Sequence, residues 1–338
     1  MKDNLFSYPR VCYAAWSDEV AYRRKCASGG FVSLLSRYVI EQGGVVYGVR
    51  YNESWQAVYA KASCVEELEV FKGSKYTYVR IADTYQRIQE DLKTAPLLLF
   101  VGLPCQVAGL YQFLGNIPDH LLTCDLFCHG TPPGHYLSEE IAYLQRKHRL
   151  PQIDDVRFRG NDDCNYYLTL WYKDKLLYKK KAQAQGYFSA FLDGLSLREA
   201  CQTCAYAKVE RVGDFSAGDF IGLGKDTPFN GPIPNTSVVL VNRLKVSALL
   251  SSLLVAYPNL HLEERCLQEA VKWAPALHPQ RKRHPKTSNF HRAVKKYGWL
   301  RASRAYQWRS MMKYYSKQLY LWCHHQAHLC KKWLLNSK

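Results

Sequence analysis

The chain has 338 residues, 47% hydrophobic and 22% charged. That balance excludes a disordered or fibrous protein, and no stretch reaches the ~20 apolar residues of a membrane span. The net charge of +17 is uneven: Pro279 to Lys338 holds 15 Lys and Arg and no Asp or Glu, leaving 31 basic and 29 acidic residues in the body. A near-neutral body argues against nucleic-acid binding, so no nucleic acid is expected as a partner. Twelve cysteines are too few for a disulfide scaffold of this length. Met1-Lys2-Asp3-Asn4 leads into no apolar signal segment, which points to a cytoplasmic protein with reduced thiols.

Cys12 to Trp16 reads as a short strand. Ser28-Gly29-Gly30 then opens a helical pattern, with Phe31, Leu34, Leu35, Tyr38 and Val39 on one face. Ser28 is a candidate cap, and paired glycines at a helix start suit an anion or close approach of a ligand. Val45 to Val49 and Trp55 to Val65 read as strands, and Glu66 to Phe71 as a short helix. Gly73-Ser74-Lys75-Tyr76 interrupts the pattern with a loop whose lysine suits a phosphate or a flavin carbonyl. A helix over Ile81 to Leu92 precedes the apolar run Leu97 to Val101. Cys105 follows in Gly102-Leu103-Pro104-Cys105-Gln106, with a helix over Gln106 to Leu114.

Leu121 to Phe127 is the next strand, ending at Cys128-His129-Gly130, and Tyr136 to Arg149 reads as a helix. Val156 opens a β-rich stretch in which Tyr166–Trp171 and Leu176–Lys180 pair as a hairpin. Tyr187 to Leu192 reads as a helix ended by Gly194, and Cys201-Gln202-Thr203-Cys204 forms a C-x-x-C pair. Gly213 to Phe220 is punctuated by glycine and aspartate. Val238 to Val241 reads as a central strand and Glu263 to Ala274 as a helix.

Two successive strand–loop–helix units place Cys105 and Cys128 at neighbouring strand ends facing one crevice. A C-x-x-C loop folded over it completes a four-thiol set for a soft metal or an iron–sulfur cluster. Zinc accepts the same donors. Two ligands arriving singly and two as a pair fit a cluster better than a zinc ribbon. A third reading makes Cys105 a nucleophile with His129 as base, which leaves the C-x-x-C unexplained. Cys124 shares strand parity with Cys128, although a core role suits it better. The helix N-terminus at Cys105 is expected to stabilise a thiolate.

The ordered segments Ser28-Gly29-Gly30, Gly73-Ser74-Lys75-Tyr76, Gly102 to Leu110, Asp125 to Pro132, Phe158-Arg159, Cys201-Gln202-Thr203-Cys204 and Gly218-Asp219-Phe220 resemble one family. It is the coenzyme F420 hydrogenase/dehydrogenase beta-subunit family, matched from about Tyr13 to Asn242. The resemblance implies a flavin- and iron–sulfur-dependent oxidoreductase that passes electrons between FAD and a 4Fe-4S cluster. Cys105, Cys128, Cys201 and Cys204 would ligate the cluster. Ser28, Gly29, Gly30, Ser74, Lys75 and Tyr76 would lie at the flavin. Lys75 would favour reduced flavin through its charge, and His129 would donate a proton or a supporting hydrogen bond.

Cys26 stands where relatives often carry Ser and is not expected to be a ligand. Gly160 stands where they often carry an acidic residue. The clustered cysteines of the ferredoxin-like module of many relatives do not occur. Electrons would therefore come from a separate donor, a ferredoxin or a reduced soluble cofactor. Relatives of this kind occur in bacterial surface-polysaccharide gene clusters, so that pathway is the implied setting and use of F420 itself is not implied.

The expected fold is α/β (α+β), with mixed sheets, parallel strand–loop–helix units, a β-rich insert and a basic helical tail. Its divisions are an N-terminal flavin-associated region (1–95), a catalytic core with the cysteines (96–278) and the tail (279–338). In the tail Trp308, Met312, Tyr315, Leu319 and Trp322 recur at helical spacing, with Arg304, Arg309, Lys313 and Lys317 largely off that stripe. Such a helix suits an anionic membrane surface at its inner face or an acidic partner, or it packs as core. Cys323, His324, His325, His328 and Cys330 cluster there without a convincing ligand pattern. The rival to the redox reading is a zinc-stabilised, non-redox scaffold held at the membrane by the tail.

Overall fold

A computed structural model describes residues 5–159, 166–278 and 284–336. The expectation at Gly160 lies outside them. In chain order the elements begin with β1 (Val11–Ser17), α1 (Val20–Lys25), α2 (Phe31–Glu41), β2 (Val45–Tyr51), β3 (Ala57–Ala62), α3 (Thr84–Asp91), β4 (Leu98–Gly102), α4 (Pro104–Leu114) and β5 (Leu121–Leu126). Next come α5 (Gly134–His148), β6 (Asp155–Arg157), β7 (Tyr167–Tyr172), β8 (Lys175–Lys181), α6 (Gly186–Leu192) and α7 (Glu199–Gln202). The chain continues through β9 (Phe215–Asp219), β10 (Ser237–Val241), α8 (Ser247–Ala256), β11 (Leu260–Arg265), α9 (Leu267–Trp273), α10 (Thr287–Tyr297) and α11 (Trp299–Asn336).

The chain divides into two compact units. The first comprises Met1–Ser138, Arg157–Asn165 and Leu197–Arg283. It is built on one eight-stranded sheet in the order β11-β1-β10-β9-β5-β4-β2-β3. β2, β4, β5 and β9 run parallel, and the other neighbours pair antiparallel. Burial on both faces suits apolar runs in middle strands: Leu98, Leu99 and Phe100 of β4 and every residue of β10 are buried. Phe31, Leu34 and Leu35 of α2 and Leu250 and Leu253 of α8 pack with Leu99, Leu122 and Val239 in one core. Val107 and Leu110 of α4 pack with Leu98, Phe100 and Leu121 in a second. Alternate residues of β4 thus feed two cores, giving helices on both faces of the sheet.

One element differs from expectation and another carried none. Glu263 to Ala274 is not one helix: β11 ends at Arg265, and α9 starts after Cys266. Leu260-His261-Leu262-Glu263-Glu264 has helix-forming composition, but pairing with β1 along the full register overrides it, and its charges suit an edge strand. The glycine-punctuated stretch before Phe220 is the buried strand β9, held between β10 and β5.

The second unit comprises Glu139–Val156, Tyr166–Ser196 and His284–Lys338. β7 and β8 form the expected hairpin, turning at Lys173 and Asp174, both at positive φ. β6 completes a three-stranded sheet. Trp299, fully buried at the start of α11, meets the rings of Tyr187 and Phe290 edge-on. Glu140 is buried and accepts from Arg304 (2.9 Å to each oxygen) and Gln185 (2.7 Å). Further along α11, Trp308, Met312, Tyr315, Leu319 and Trp322 are all exposed, so the stripe is not core. No helix among the described residues is long and apolar enough to cross a membrane. Cys323 is exposed, and the side chains of Arg309, Lys313, His324, His325, His328 and Cys330 lie outside the described set.

Candidate functional site

β4 and β5 are parallel neighbours, with Gly102 beside Asp125 at their C-terminal ends. The chain leaves β4 through Leu103 into α4, where Pro104 takes the first helical position and Cys105 the second. Gln106 fixes this turn. Its Oε1 accepts from the Leu103 N–H (3.1 Å) and the Tyr59 hydroxyl (2.8 Å), while its Nε2 donates to the Val79 carbonyl (3.1 Å). Beyond β5 the Gly130 N–H donates to Cys128 Sγ (3.2 Å). Gly130 has φ of +101°, and a Cβ there would lie 2.7 Å from Leu197 and 3.2 Å from Cys201. A glycine is required both for the turn and for the approach of the C-x-x-C segment.

That segment is tied on from the other side. The Arg198 N–H donates to the Thr131 carbonyl (2.9 Å) and the Cys201 N–H to the Arg198 carbonyl (2.9 Å). Cys105, Cys128, Cys201 and Cys204 consequently line one pocket. Neither a carboxylate nor an imidazole lines it. Among the described residues, no three Cys, His, Asp or Glu side chains close to the spacing of a single metal ion.

The thiols act on one another. Burial pushes Cys128 up to about 12; Cys201, Cys105 and Cys204 add to this, and the Gly130 N–H opposes it. Cys105 is pushed up to about 11, by burial first and then by Cys204 and Cys201, with its own backbone hydrogen bond and the Arg198 guanidinium opposing. The residue keeps exposed surface, but its thiol is enclosed. Burial thus opposes the favourable effect of the helix N-terminus on a Cys105 thiolate. Cys124 is fully buried in the core and does not line the pocket. Cys12 and Cys26 are also buried, and Cys26 Sγ lies 3.4 Å from the Tyr22 carbonyl oxygen and 3.4 Å from Ser33 Oγ. His129 is half-buried and does not line the pocket.

Tyr78, Arg198 and Arg211 are among the lining residues that carried no expectation. Arg198 holds its guanidinium 3.7 Å over the Tyr78 ring. Arg211, fully buried, donates to Asp125 through Nε (3.1 Å) and Nη2 (2.5 Å), joining the stretch after Cys204 to the end of β5. The spacing R-x-x-C-x-x-C was a usable signal for Arg198. Nothing local marked Tyr78 or Arg211.

The segments expected at a flavin reach the same sheet edge. Ala15 of β1 pairs with Ser237 of β10, and Ser237 with Asp219 of β9, which runs parallel to β5. The Ser28–Gly30 turn is built onto this edge: the Ser28 hydroxyl donates to the Thr236 carbonyl (3.1 Å), and the Gly29 N–H to Ser237 Oγ (2.9 Å). A Cβ on Gly29 would lie 2.0 Å from the Ala15 carbonyl oxygen, so strand packing already accounts for that glycine. Gly30 is left-handed and starts α2 without a side-chain cap. Ser28 therefore does not cap it, being committed to Thr236.

At Gly73–Tyr78, Lys75 Nζ donates to the carbonyls of Lys72 (2.5 Å), Val70 (3.1 Å) and Gly73 (3.4 Å), closing its own loop. Ser74 is half-buried beside it. Tyr76 meets Phe158 edge-on at 5.3 Å, Arg159 pairs with Asp219, and the Tyr78 N–H donates to the Pro132 carbonyl (3.0 Å). The Tyr78 contact joins this loop to the cysteine pocket.

A mixed sheet with helices on both faces, and a pocket at parallel strand ends that four cysteines help to line, define an α/β protein. Residues 12–85 match the N-terminal part, and residues 96–259 the C terminus, of the coenzyme F420 hydrogenase/dehydrogenase beta subunit. The chain belongs to that family, which is of oxidoreductase type. A chain of the F420-reducing [NiFe] hydrogenase complex from Methanosarcina barkeri, in its xenon derivative, shares the fold. The TM-score is 0.52 at 15% identity, over 78% of this chain and 84% of that one. No curated protein matches significantly.

Proposed function

We propose that the protein is a flavin- and iron–sulfur-dependent oxidoreductase whose cluster is held by Cys105, Cys128, Cys201 and Cys204. The observation that carries this reading is the convergence of four cysteines, from three separate segments, in a pocket whose described lining holds no carboxylate or imidazole. Two ligands arriving singly from strand ends and two as a C-x-x-C pair favour a 4Fe-4S cluster over a zinc ribbon.

The flavin seat in this reading is the strand edge next to the pocket. The uncapped start of α2 after Gly30 suits a phosphate group, and the Gly73–Tyr78 loop lies at the cysteine end. A bound FAD supplies two-electron chemistry and the cluster supplies one-electron transfer; the protein supplies position and electrostatics. Lys75 holds its loop rigid through three carbonyls. Arg198, over Tyr78, supplies positive charge beside Cys105. The electron source is a separate ferredoxin-like protein or a reduced soluble cofactor. A role in cell-surface polysaccharide synthesis rests on the family resemblance.

The test is anaerobic purification followed by iron, sulfide, zinc and flavin analysis. A brown protein with about four irons and four sulfides per chain, and FAD released on denaturation, is the expected result. Cys105→Ser and Cys201→Ser both lose the cluster. A colourless protein holding one zinc refutes the proposal. So does activity that depends on Cys105 but survives Cys201→Ser.

A further inference from the structure

The charge of this chain collects in its second unit. That unit holds 20 Lys and Arg against 6 Asp and Glu, a net of +14 out of the total of +17. The same unit carries the exposed stretch of α11. Trp308 is 65% exposed, Met312 58%, Leu319 62% and Trp322 60%, with Tyr315 exposed between them. These positions advance by four and three residues, so they share one helix face about 21 Å long. Lys317 on the same helix is exposed, as are Lys175, Lys179 and Lys181 of β8. Lys181 interacts with Tyr314 of α11, which brings the lysine-rich strand beside the apolar face.

The combination selects among occupants. A second copy would set one unit of +14 against another, and like charge disfavours that contact. A nucleic acid would satisfy the lysines but leave Met312 and Leu319 in water. An anionic bilayer takes both features: lysines meet the headgroups, and Trp, Tyr, Leu and Met enter the boundary between headgroups and acyl chains. Trp and Tyr are the aromatic residues that prefer that level. We propose that the apolar face of α11, flanked by the lysines of β8, lies flat on the surface of an anionic phospholipid bilayer. The proposal does not depend on cofactor content.

The full-length protein is floated with vesicles of phosphatidylcholine alone and with vesicles that also contain phosphatidylglycerol. Flotation with the second kind only, weakening with salt and accompanied by a blue shift of tryptophan emission, is expected. Leu319→Asp with Trp322→Asp, both exposed positions, lowers partitioning at least tenfold with circular dichroism unchanged. Lys175→Gln with Lys179→Gln lowers it about 30-fold, at about 1 kcal/mol for each charge near the surface. Absence of flotation at low salt overturns the proposal. Partitioning that ignores the Leu319/Trp322 change overturns it too. Dimerisation without flotation, or retention only by polyglutamate, assigns the face to a protein and also overturns it.

Discussion

Asp125 stands at the end of β5, three residues before Cys128, and is fully buried. One of its oxygens accepts from Arg211 Nε (3.1 Å) and Nη2 (2.5 Å), and the other from the N–H groups of Val212 (3.1 Å) and Gly213 (2.8 Å). Asp125→Ala strands a buried guanidinium, which costs about 3–5 kcal/mol. The two backbone donors add about 1 kcal/mol or more each if they stay dry. All four bonds end on one carboxylate, so the costs overlap, and about 5 kcal/mol is the working figure. That rivals the total stability of many domains, roughly 5–15 kcal/mol. At about 2–4 °C per kcal/mol for a unit of this size, Tm falls by roughly 10–20 °C. The assay is thermal unfolding by circular dichroism on chelator-treated protein, so that metal loss contributes nothing. A fall below about 4 °C would refute the argument that this ion pair fastens the segment after Cys204 to the sheet.

Alkaline pH should destabilise the fold through Cys12. Its thiol is pushed up to about 12 by burial first and Glu269 next, against an ordinary value near 9. Above about pH 9 the unfolded chain releases a proton that the folded chain keeps. Stability therefore falls by about 1.4 kcal/mol per pH unit from 9 towards 12, and is untouched below 9. Urea midpoints from pH 8 to 11 should drop less steeply in Cys12→Ala than in the parent, and parallel curves would discard the idea. Gly29→Ala drives a Cβ to 2.0 Å from the Ala15 carbonyl oxygen and 2.8 Å from the Ser237 nitrogen. Backbone on both sides cannot yield cheaply, so a loss of about 3 kcal/mol is expected in chemical denaturation. An unchanged midpoint with lost flavin would instead assign that glycine to ligand approach.

The parallel units were legible because each joins a largely apolar run to a turn residue and a helical period: Leu98–Gly102 into Pro104, and Leu121–Leu126 into Cys128. The hairpin at Lys173-Asp174 announced itself in the same local way. β9 did not, because a stretch punctuated by glycine and aspartate carries no strand signal of its own, and pairing with β5 and β10 makes the strand. β11 did not, because helix-forming side chains were overruled by pairing with β1.

The four cysteines were legible as candidates, and the tail as a basic helix with an apolar stripe. Their surroundings were not. Arg198 over Tyr78, the Asp125–Arg211 pair, the commitment of Lys75 to its own loop and the absence of His129 from the pocket lining all depend on contacts between segments far apart in the chain. Residue types and periodicity determine which stretches form strands, helices and turns, because those preferences act within a few residues. Sheet order decided which turns share an edge, and cover by neighbouring elements decided that the α11 stripe faces solvent. Both are set by long-range burial, which no local pattern encodes.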